Sequence, residues 1–207
     1  MHVTSNPPHR WPAFILVLST CGTASAQTAP AGNTWSHGTT VNGFAGAASA
    51  SSETGPLAGG AVGWEVTPWV ALEGSGSWLD RHNGADAFAA DLKVLVNLAA
   101  AHPVVPFLEG GIGLYRAWFD LSRGTLPDFY QGRMAVNGAN VKQMAFTDPS
   151  FIFGGGVNLF ISRQVAIRPD VEAKIVRRNS QNFVMTAVSI HLAYHFEDHP
   201  ITPSRSR

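Results

Sequence analysis

The last part of the chain alternates between apolar residues and polar or small ones. In a β-strand successive side chains point to opposite faces, whereas a helix repeats its apolar positions every three or four residues. The alternation therefore predicts a strand over 183–196 with one apolar face. That face carries Val184, Thr186, Val188, Ile190, Leu192, Tyr194 and Phe196.

Seven earlier segments alternate in the same way and are separated by turn residues. Short connections at 67–68, 102–103 and 162–163 alternate along the chain with longer polar connections, of which 119–149 is by far the longest. Tight turns on one rim and longer loops on the other are typical of a membrane β-barrel. We predict an all-β, eight-stranded antiparallel up-and-down transmembrane β-barrel over residues 35–196. The predicted strands are 36–48, 57–66, 69–79, 87–99, 105–118, 150–161, 164–177 and 183–196.

Charged residues share the face opposite to the apolar one on several of these strands. In a soluble sandwich such a face meets water, but in a membrane barrel it turns inward, where opposite charges can pair. An eight-stranded barrel is only wide enough for side chains to fill it, so we expect a salt-bridge network, with an ion or proton path as the alternative. The residues of this predicted interior network are Glu65, Glu73, Asp91, Lys93, Glu109, Arg168, Asp170, Glu172 and Lys174.

The hairpin turns predict how the strands pair. A turn centred at Arg163 places Asp170 opposite Gly156, so that an inward glycine makes room for an inward charge. A turn centred near Ala101 places Lys93 opposite Glu109, which predicts a cross-strand ion pair.

Composition narrows the class of protein. Charged residues make up 14% of the 207 residues, well below the roughly 25% of a typical soluble domain. Lys+Arg and Asp+Glu are equal at 14 each, so there is no basic field that would attract nucleic acid. The sequence contains no run of about 20 apolar residues, so it does not predict a transmembrane helix.

The first residues are typical of a secretory signal peptide. Arg10 precedes a short apolar run, and Ala24 and Ala26 place small residues where a signal peptidase cuts. We predict a signal peptide at 1–26, a linker at 27–34 and a short C-terminal tail at 197–207. A short buried helix is the alternative for the first segment, and Cys21 within it fits a lipidation motif poorly.

Several motifs resemble a known family. The glycine-rich segment 106–113 (PFLEGGIG), the run 154–158 (GGGVN) with 166–171 (AIRPDV), and the segment 63–68 (GWEVTP) resemble strands and turns of the OmpA-like and OmpX-like outer-membrane β-barrel proteins. The resemblance covers most of 35–196. It implies export through the periplasm of a Gram-negative bacterium to the outer membrane, with both barrel ends periplasmic.

The resemblance also implies a C-terminal assembly signal. Tyr194 and Phe196 match the aromatic end that the outer-membrane assembly machinery recognises. Three features depart from the family pattern: the tail continues past the aromatic residue, glycine is absent near His191, and Pro169 lies within a strand. Because proline removes a ladder donor, we expect a bulge or distortion there.

Four tryptophans lie near predicted strand ends: Trp64, Trp69, Trp78 and Trp118. Such residues are typical of the aromatic belts at the two membrane interfaces. The loop 119–149 is rather apolar for a loop, and we expect it to carry the specificity of the protein, since rigid scaffolds present variable function on loops.

The sequence contains little that supports metal binding or catalysis. His191, His195 and His199 share a spacing of four, which on a strand is about 13 Å and excludes a common metal ion. No serine and histidine alternate on the outward face of one strand, as a lipid-modifying barrel enzyme would need. We expect no catalysis, metal or cofactor.

The leading hypothesis is a structural or surface-interaction barrel surrounded by outer-membrane lipid. The alternatives are a narrow channel for ions or small solutes, and a soluble or lipid-modifying barrel.

Overall fold

The alternation produces a closed barrel. The computed structural model describes residues 38–50, 53–81, 85–123, 143–178 and 181–199. Each strand is hydrogen-bonded antiparallel to its neighbours in sequence, and β1 also pairs with β8 from Thr40 opposite His195 to Ser49 opposite Thr186. The prediction of an eight-stranded antiparallel barrel is confirmed. The strands are β1 (Gly38–Ala50), β2 (Glu53–Thr67), β3 (Val70–Asp80), β4 (Ala85–Asn97), β5 (Val104–Asp120), β6 (Gln143–Phe160), β7 (Val165–Arg178) and β8 (Gln181–His195).

The two rims differ. One, called here the turn rim, carries the connections 68–69, 98–103 and 161–164 together with the ends of β1 and β8. The other, called the loop rim, carries the connections 51–52, 81–84, 121–142 and 179–180. Within the described residues, no helix is long and apolar enough to cross a membrane.

The longest loop is shorter than predicted. The expected bounds 119–149 were wrong, because Asp120 pairs with Gln143 and Trp118 pairs with Ala145. In this extended part of the β5–β6 hairpin, Phe119 and Phe146 are buried inside the barrel, while Thr147 faces outward. The connection is therefore 121–142, and only 121–123 of it are described.

Pro169 interrupts pairing without shifting it. β6 and β7 pair at Gly156–Asp170 and again at Leu159–Ile167, in one register, and Pro169 pairs with Ile190 of β8. The missing donor thus breaks the ladder locally, as expected of proline, but it adds no bulge. An unpredicted register shift lies at the end of β2.

The outward face is apolar and the inward face has two layers. Large apolar side chains are exposed on all eight strands, from Val41 on β1 to Tyr194 on β8. Inside, the half next to the turn rim is charged, whereas the half next to the loop rim is apolar. The members of this apolar layer include Ala48, Leu57, Leu79, Ala87, Tyr115, Phe119, Phe146, Val176 and Met185.

Candidate functional site

The centre of the charged layer is an ion pair that crosses the lumen from β7 to β3. The guanidinium of Arg168 donates two hydrogen bonds to the carboxylate of Glu73, at 2.6 Å to Oε2 and 3.0 Å to Oε1. Two parallel bonds of this kind fix both side chains in one orientation. Both side chains are almost fully buried, with 5% and 2% of their surfaces exposed.

Two lysines connect the other carboxylates. The Lys93 ammonium lies 3.1 Å from Glu109, 3.3 Å from Glu73 and 3.3 Å from Glu172. Lys174 lies 2.7 Å from Asp91 and 3.6 Å from Glu172. Since these groups come from four strands, β3, β4, β5 and β7, the network ties opposite walls of the barrel together. All nine charged residues expected inside point into the barrel, Glu65 at the turn-rim end of the network.

A polar cluster on β7, β8 and β1 holds Asp170, another acid of the network. Asp170 accepts hydrogen bonds from the Ser189 hydroxyl and from Nε2 of His191, the latter at 2.8 Å. Nδ1 of His191 lies 2.9 Å from the Arg168 guanidinium and 2.9 Å from Oδ1 of Asn42, which joins β1 to the cluster. The Ser189 hydroxyl also lies 3.0 Å from Nε2 of His191, and all three residues are buried inside the barrel wall.

The apolar layer closes the other half of the interior. Tyr115 is fully buried, and the rings of Phe119 and Phe146 lie 6.1 Å apart. Arg178 stacks 4.2 Å above Phe146 and lies 3.0 Å from Asp148, so a second ion pair covers the layer. The cavity between the two layers is about 30 Å³, room for about two water molecules.

Sequence reasoning missed part of this arrangement. Asn42, which donates to Glu73 at 3.1 Å, and Arg81, which donates to the Tyr115 hydroxyl at 3.3 Å, were not identified as interior residues. The parity of Asn42 on β1 could have found it. The predicted pairing of Lys93 opposite Glu109 was wrong by two residues along β5, because Lys93 lies opposite Gly111. The side chains of Lys93 and Glu109 nevertheless meet diagonally, at 3.1 Å. Asp170 does lie opposite Gly156 as predicted.

Comparison with known proteins agrees with this architecture. The family model described as "Outer membrane protein beta-barrel domain" matches residues 13–196. The chain belongs to that family. No curated protein matches the chain. Among solved structures, Neisserial surface protein A (NspA) is 14% identical, with a TM-score of 0.58, covering 77% of this chain and 97% of that one. The N-terminal β-barrel domain of Pseudomonas aeruginosa OprF is 11% identical, with a TM-score of 0.55 and coverages of 76% and 97%. At these identities, the likeness to the two structures shows the fold.

The family places this β-barrel in the outer membrane, and the exposed tryptophans of the outer-membrane barrel lie in two groups. Trp64 and Trp69 are near the turn rim, at 49% and 51% exposure, and Trp78 and Trp118 are near the loop rim, at 41% and 38%. Tyr194 faces outward near the turn rim, and its ring meets that of Phe196 edge-on at 5.3 Å. Ala24 and Ala26 lie outside the described residues.

The described start of the tail, residues 197–199, folds onto the turn rim. Glu197 accepts a hydrogen bond from the Thr39 amide at 2.8 Å, and the His199 amide donates to the Arg163 carbonyl at 2.9 Å. The His199 ring stacks on Phe160 at 3.8 Å. Burial lowers the pKa of His199, the charge of His195 lowers it further, and Glu65 opposes both effects.

The tail corrects one step of the metal argument. β8 ends at His195, so the spacing expected for a strand was wrong for His199, whose ring centre lies 6.3 Å from that of His195. Even so, no group of three potential ligands in the described part of the chain could hold a metal ion.

Proposed function

We propose that this outer-membrane barrel is a closed anchor that presents its loop rim to a partner at the cell surface and conducts no ions. The observation that carries the proposal is the filled interior. In the described part of the chain, the charged layer occupies one half and the apolar layer the other, and the cavity between them measures about 30 Å³. Ions crossing the apolar layer would lose their hydration among apolar side chains, and the Arg178 and Asp148 charges at this layer are paired with each other.

Specificity is assigned to the connection 121–142 and not to the barrel wall. β5 and β6 have 17 and 18 residues, whereas a tilted strand needs about 9–11 to cross a bilayer. The outward apolar run of β5 ends at Leu114 and is followed by Arg116 and the interfacial Trp118, so we infer that the end of the hairpin beyond Trp118 projects from the membrane. The hairpin therefore works as a rigid stalk for the loop.

The orientation that we propose puts the turn rim in the periplasm and the loop rim outside. Short periplasmic turns and longer external loops are the rule for these barrels. The four tryptophans then mark the two membrane interfaces, the interior charges serve as a structural salt-bridge network, and Tyr194 and Phe196 act as the signal for the assembly machinery. Cleavage after Ala26 would release the mature chain.

Trypsin treatment of intact cells tests the orientation. The connection 121–142 contains Arg123, Arg133 and Lys142, and the tail ends with Arg205 and Arg207. We expect cleavage in the connection on intact cells, and cleavage in the tail only after the outer membrane is opened. The reverse order would overturn the orientation.

Two further measurements test the activity. In planar bilayers, the purified barrel should give no current steps, and regular steps would support the channel instead. A variant with residues 124–141 replaced by a short Gly-Ser linker should still fold, judged by a mobility difference between heated and unheated samples. Cells that display it should lose adhesion to protein-coated or glycan-coated surfaces, and unchanged adhesion would refute the role of the connection.

A further inference from the structure

The charged layer holds more acids than bases. Within the described residues, its five acids are Glu73, Asp91, Glu109, Asp170 and Glu172. Its three bases are Lys93, Arg168 and Lys174. Glu65 is counted apart, because it lies at the turn-rim end and has His195 beside it at 3.4 Å. Even with His191 counted as a cation, one negative charge of the layer is left without a partner.

The distances show where this surplus charge lies. Three acids have a partner of their own: Glu73 with Arg168 at 2.6 Å, Asp91 with Lys174 at 2.7 Å, and Asp170 with His191 at 2.8 Å. Glu109 and Glu172 are left, and both face the single ammonium of Lys93, at 3.1 Å and 3.3 Å. One ammonium cannot neutralise two carboxylates, and a buried carboxylate without a counter-charge is strongly unfavourable.

Of these two acids, Glu109 is the less supported as an ion. Its side chain is 0% exposed, whereas that of Glu172 is 16% exposed. Lys93 donates a hydrogen bond to Glu172 at 3.3 Å, but no group in the described part of the chain donates one to either carboxyl oxygen of Glu109. The cavity between the two layers is lined by Glu172 and not by Glu109. The environment therefore favours the neutral form of Glu109.

The neighbouring strands offer Glu109 an acceptor and few donors. It lies opposite Leu95 on β4 and opposite Gly154 on β6. The position of a Cβ atom at Gly154 would be 2.8 Å from Oε1 of Glu109 and 2.6 Å from the carbonyl oxygen of Val171. A protonated carboxyl can donate to such an oxygen, whereas a carboxylate cannot. The charged groups around Glu109 are Glu73 on β3, Lys93 on β4, and Arg168, Asp170 and Glu172 on β7, with His191 on β8 behind Asp170.

We propose that Glu109 is a proton-binding site, which keeps its proton at neutral pH in the folded barrel and leaves Lys93 to pair with Glu172. A glutamate of the unfolded chain is ionised above about pH 4.3. Folding therefore takes up one proton, and the folded barrel is stabilised as the pH falls through the neutral range. An acid held ionised by a salt bridge would have the opposite effect.

Infrared spectroscopy of the purified barrel, in a detergent without ester groups, detects the proton directly. The carbonyl stretch of a protonated carboxylic acid is separate from the bands of a carboxylate. At neutral pH we expect this band in the wild type and its loss in Glu109→Gln. Glu65→Gln is the matched control, since it removes another inward glutamate of the same barrel, and it should keep the band.

Denaturant unfolding measures the same proton through stability. One additional proton in the folded state changes the unfolding constant about tenfold per pH unit. Between about pH 5.5 and 7.5, the unfolding constant of the wild type should therefore rise about a hundredfold more than that of Glu109→Gln. The histidines are the same in both proteins, so their titration cancels in this comparison.

Three results would overturn the proposal. The first is a wild type without the protonated band at neutral pH, since another cation would then neutralise the layer. The second is a band that persists in Glu109→Gln, since another acid would then hold the proton. The third is an equal pH dependence of unfolding in the two proteins. Glutamine has nearly the shape of a neutral glutamic acid, so a Glu109→Gln variant that fails to fold would also contradict the proposal.

Discussion

The Arg168–Glu73 pair offers the sharpest test of the interior network. Replacement of Arg168 by Met keeps a side chain of similar length but leaves the Glu73 carboxylate, 2% exposed, without its two strongest hydrogen bonds. The bond from Arg168 to His191 is also lost. Removing one partner of a buried ion pair typically costs about 3–5 kcal/mol. Because a folded domain is stable by only about 5–15 kcal/mol, the effect is large.

A double-mutant cycle isolates the pair. Glu73→Gln in the Arg168→Met background removes the stranded charge, while Lys93 keeps Glu109 and Glu172 as partners. The double variant should recover part of the loss, with a coupling energy of about 1–3 kcal/mol. The control is Arg163→Met, since Arg163 is 69% exposed and 3.8 Å from Asp198; it should change stability by less than about 1 kcal/mol.

The assay is equilibrium unfolding in guanidinium or urea, followed by tryptophan fluorescence and by the fraction that keeps its unheated gel mobility. Four proteins are compared in one lipid: the wild type, the two single variants and the double variant. If Arg168→Met unfolds at the denaturant concentration of the wild type, or if the double variant loses the sum of the two single losses, the pair does not stabilise the barrel as argued.

At Gly46, a Cβ atom would lie 2.0 Å from the Val188 carbonyl oxygen, so Gly46→Val should not form a compact heat-modifiable barrel. The same change at Gly43, where a Cβ atom meets nothing within 4 Å, should leave the barrel folded. A folded Gly46→Val variant would contradict the close approach of β1 and β8. Phe146→Ala should cost about 3–5 kcal/mol in denaturant unfolding if the apolar layer is closely packed, and a loss below about 1 kcal/mol would show that it is not. The lowered pKa of His199 means that the unfolded tail binds a proton more readily than the folded one; contact of 196–199 with the turn rim is thus favoured above about pH 6.5 and weakens below it. Hydrogen exchange at about pH 7.5 and 5.5 should show this loss, and His199→Asn should abolish the pH dependence.

The alternation of apolar and polar residues was sufficient to predict the strands and the side of the barrel wall to which their charged side chains point. A residue such as Glu73 or Lys174 must face inward once its neighbours on the strand face lipid, so parity alone assigns it to the interior. Which cation meets which acid could not be predicted in the same way. Arg168 and Glu73 are 95 residues apart in sequence and meet across the lumen, where the angle and tilt of the strands decide the contact.

Two errors have local physical causes. The turn between β4 and β5 is centred one residue later than expected. Ala101 within it has a positive φ of 54°, a conformation that alanine rarely adopts and that the sequence therefore does not predict. The ends of the long loop were missed because the hairpin above the membrane buries Phe119 and Phe146 inside and presents Gln143 and Thr147 outside. A search for lipid-facing apolar residues overlooks strands that stand in water.

The long sequence separation within the charged layer has a consequence for biogenesis. Each hairpin can form from neighbouring segments, but the acids on β3 and β4 find their bases on β7 only when the sheet has curled and its first and last edges have met. Until that moment, a partly inserted sheet would expose stranded charges to hydrocarbon, which is strongly unfavourable. We therefore expect closure of the barrel and its passage into the bilayer to proceed as one cooperative event. The pairing of charges between distant strands is a slow, non-local step, and only a correctly closed barrel completes it.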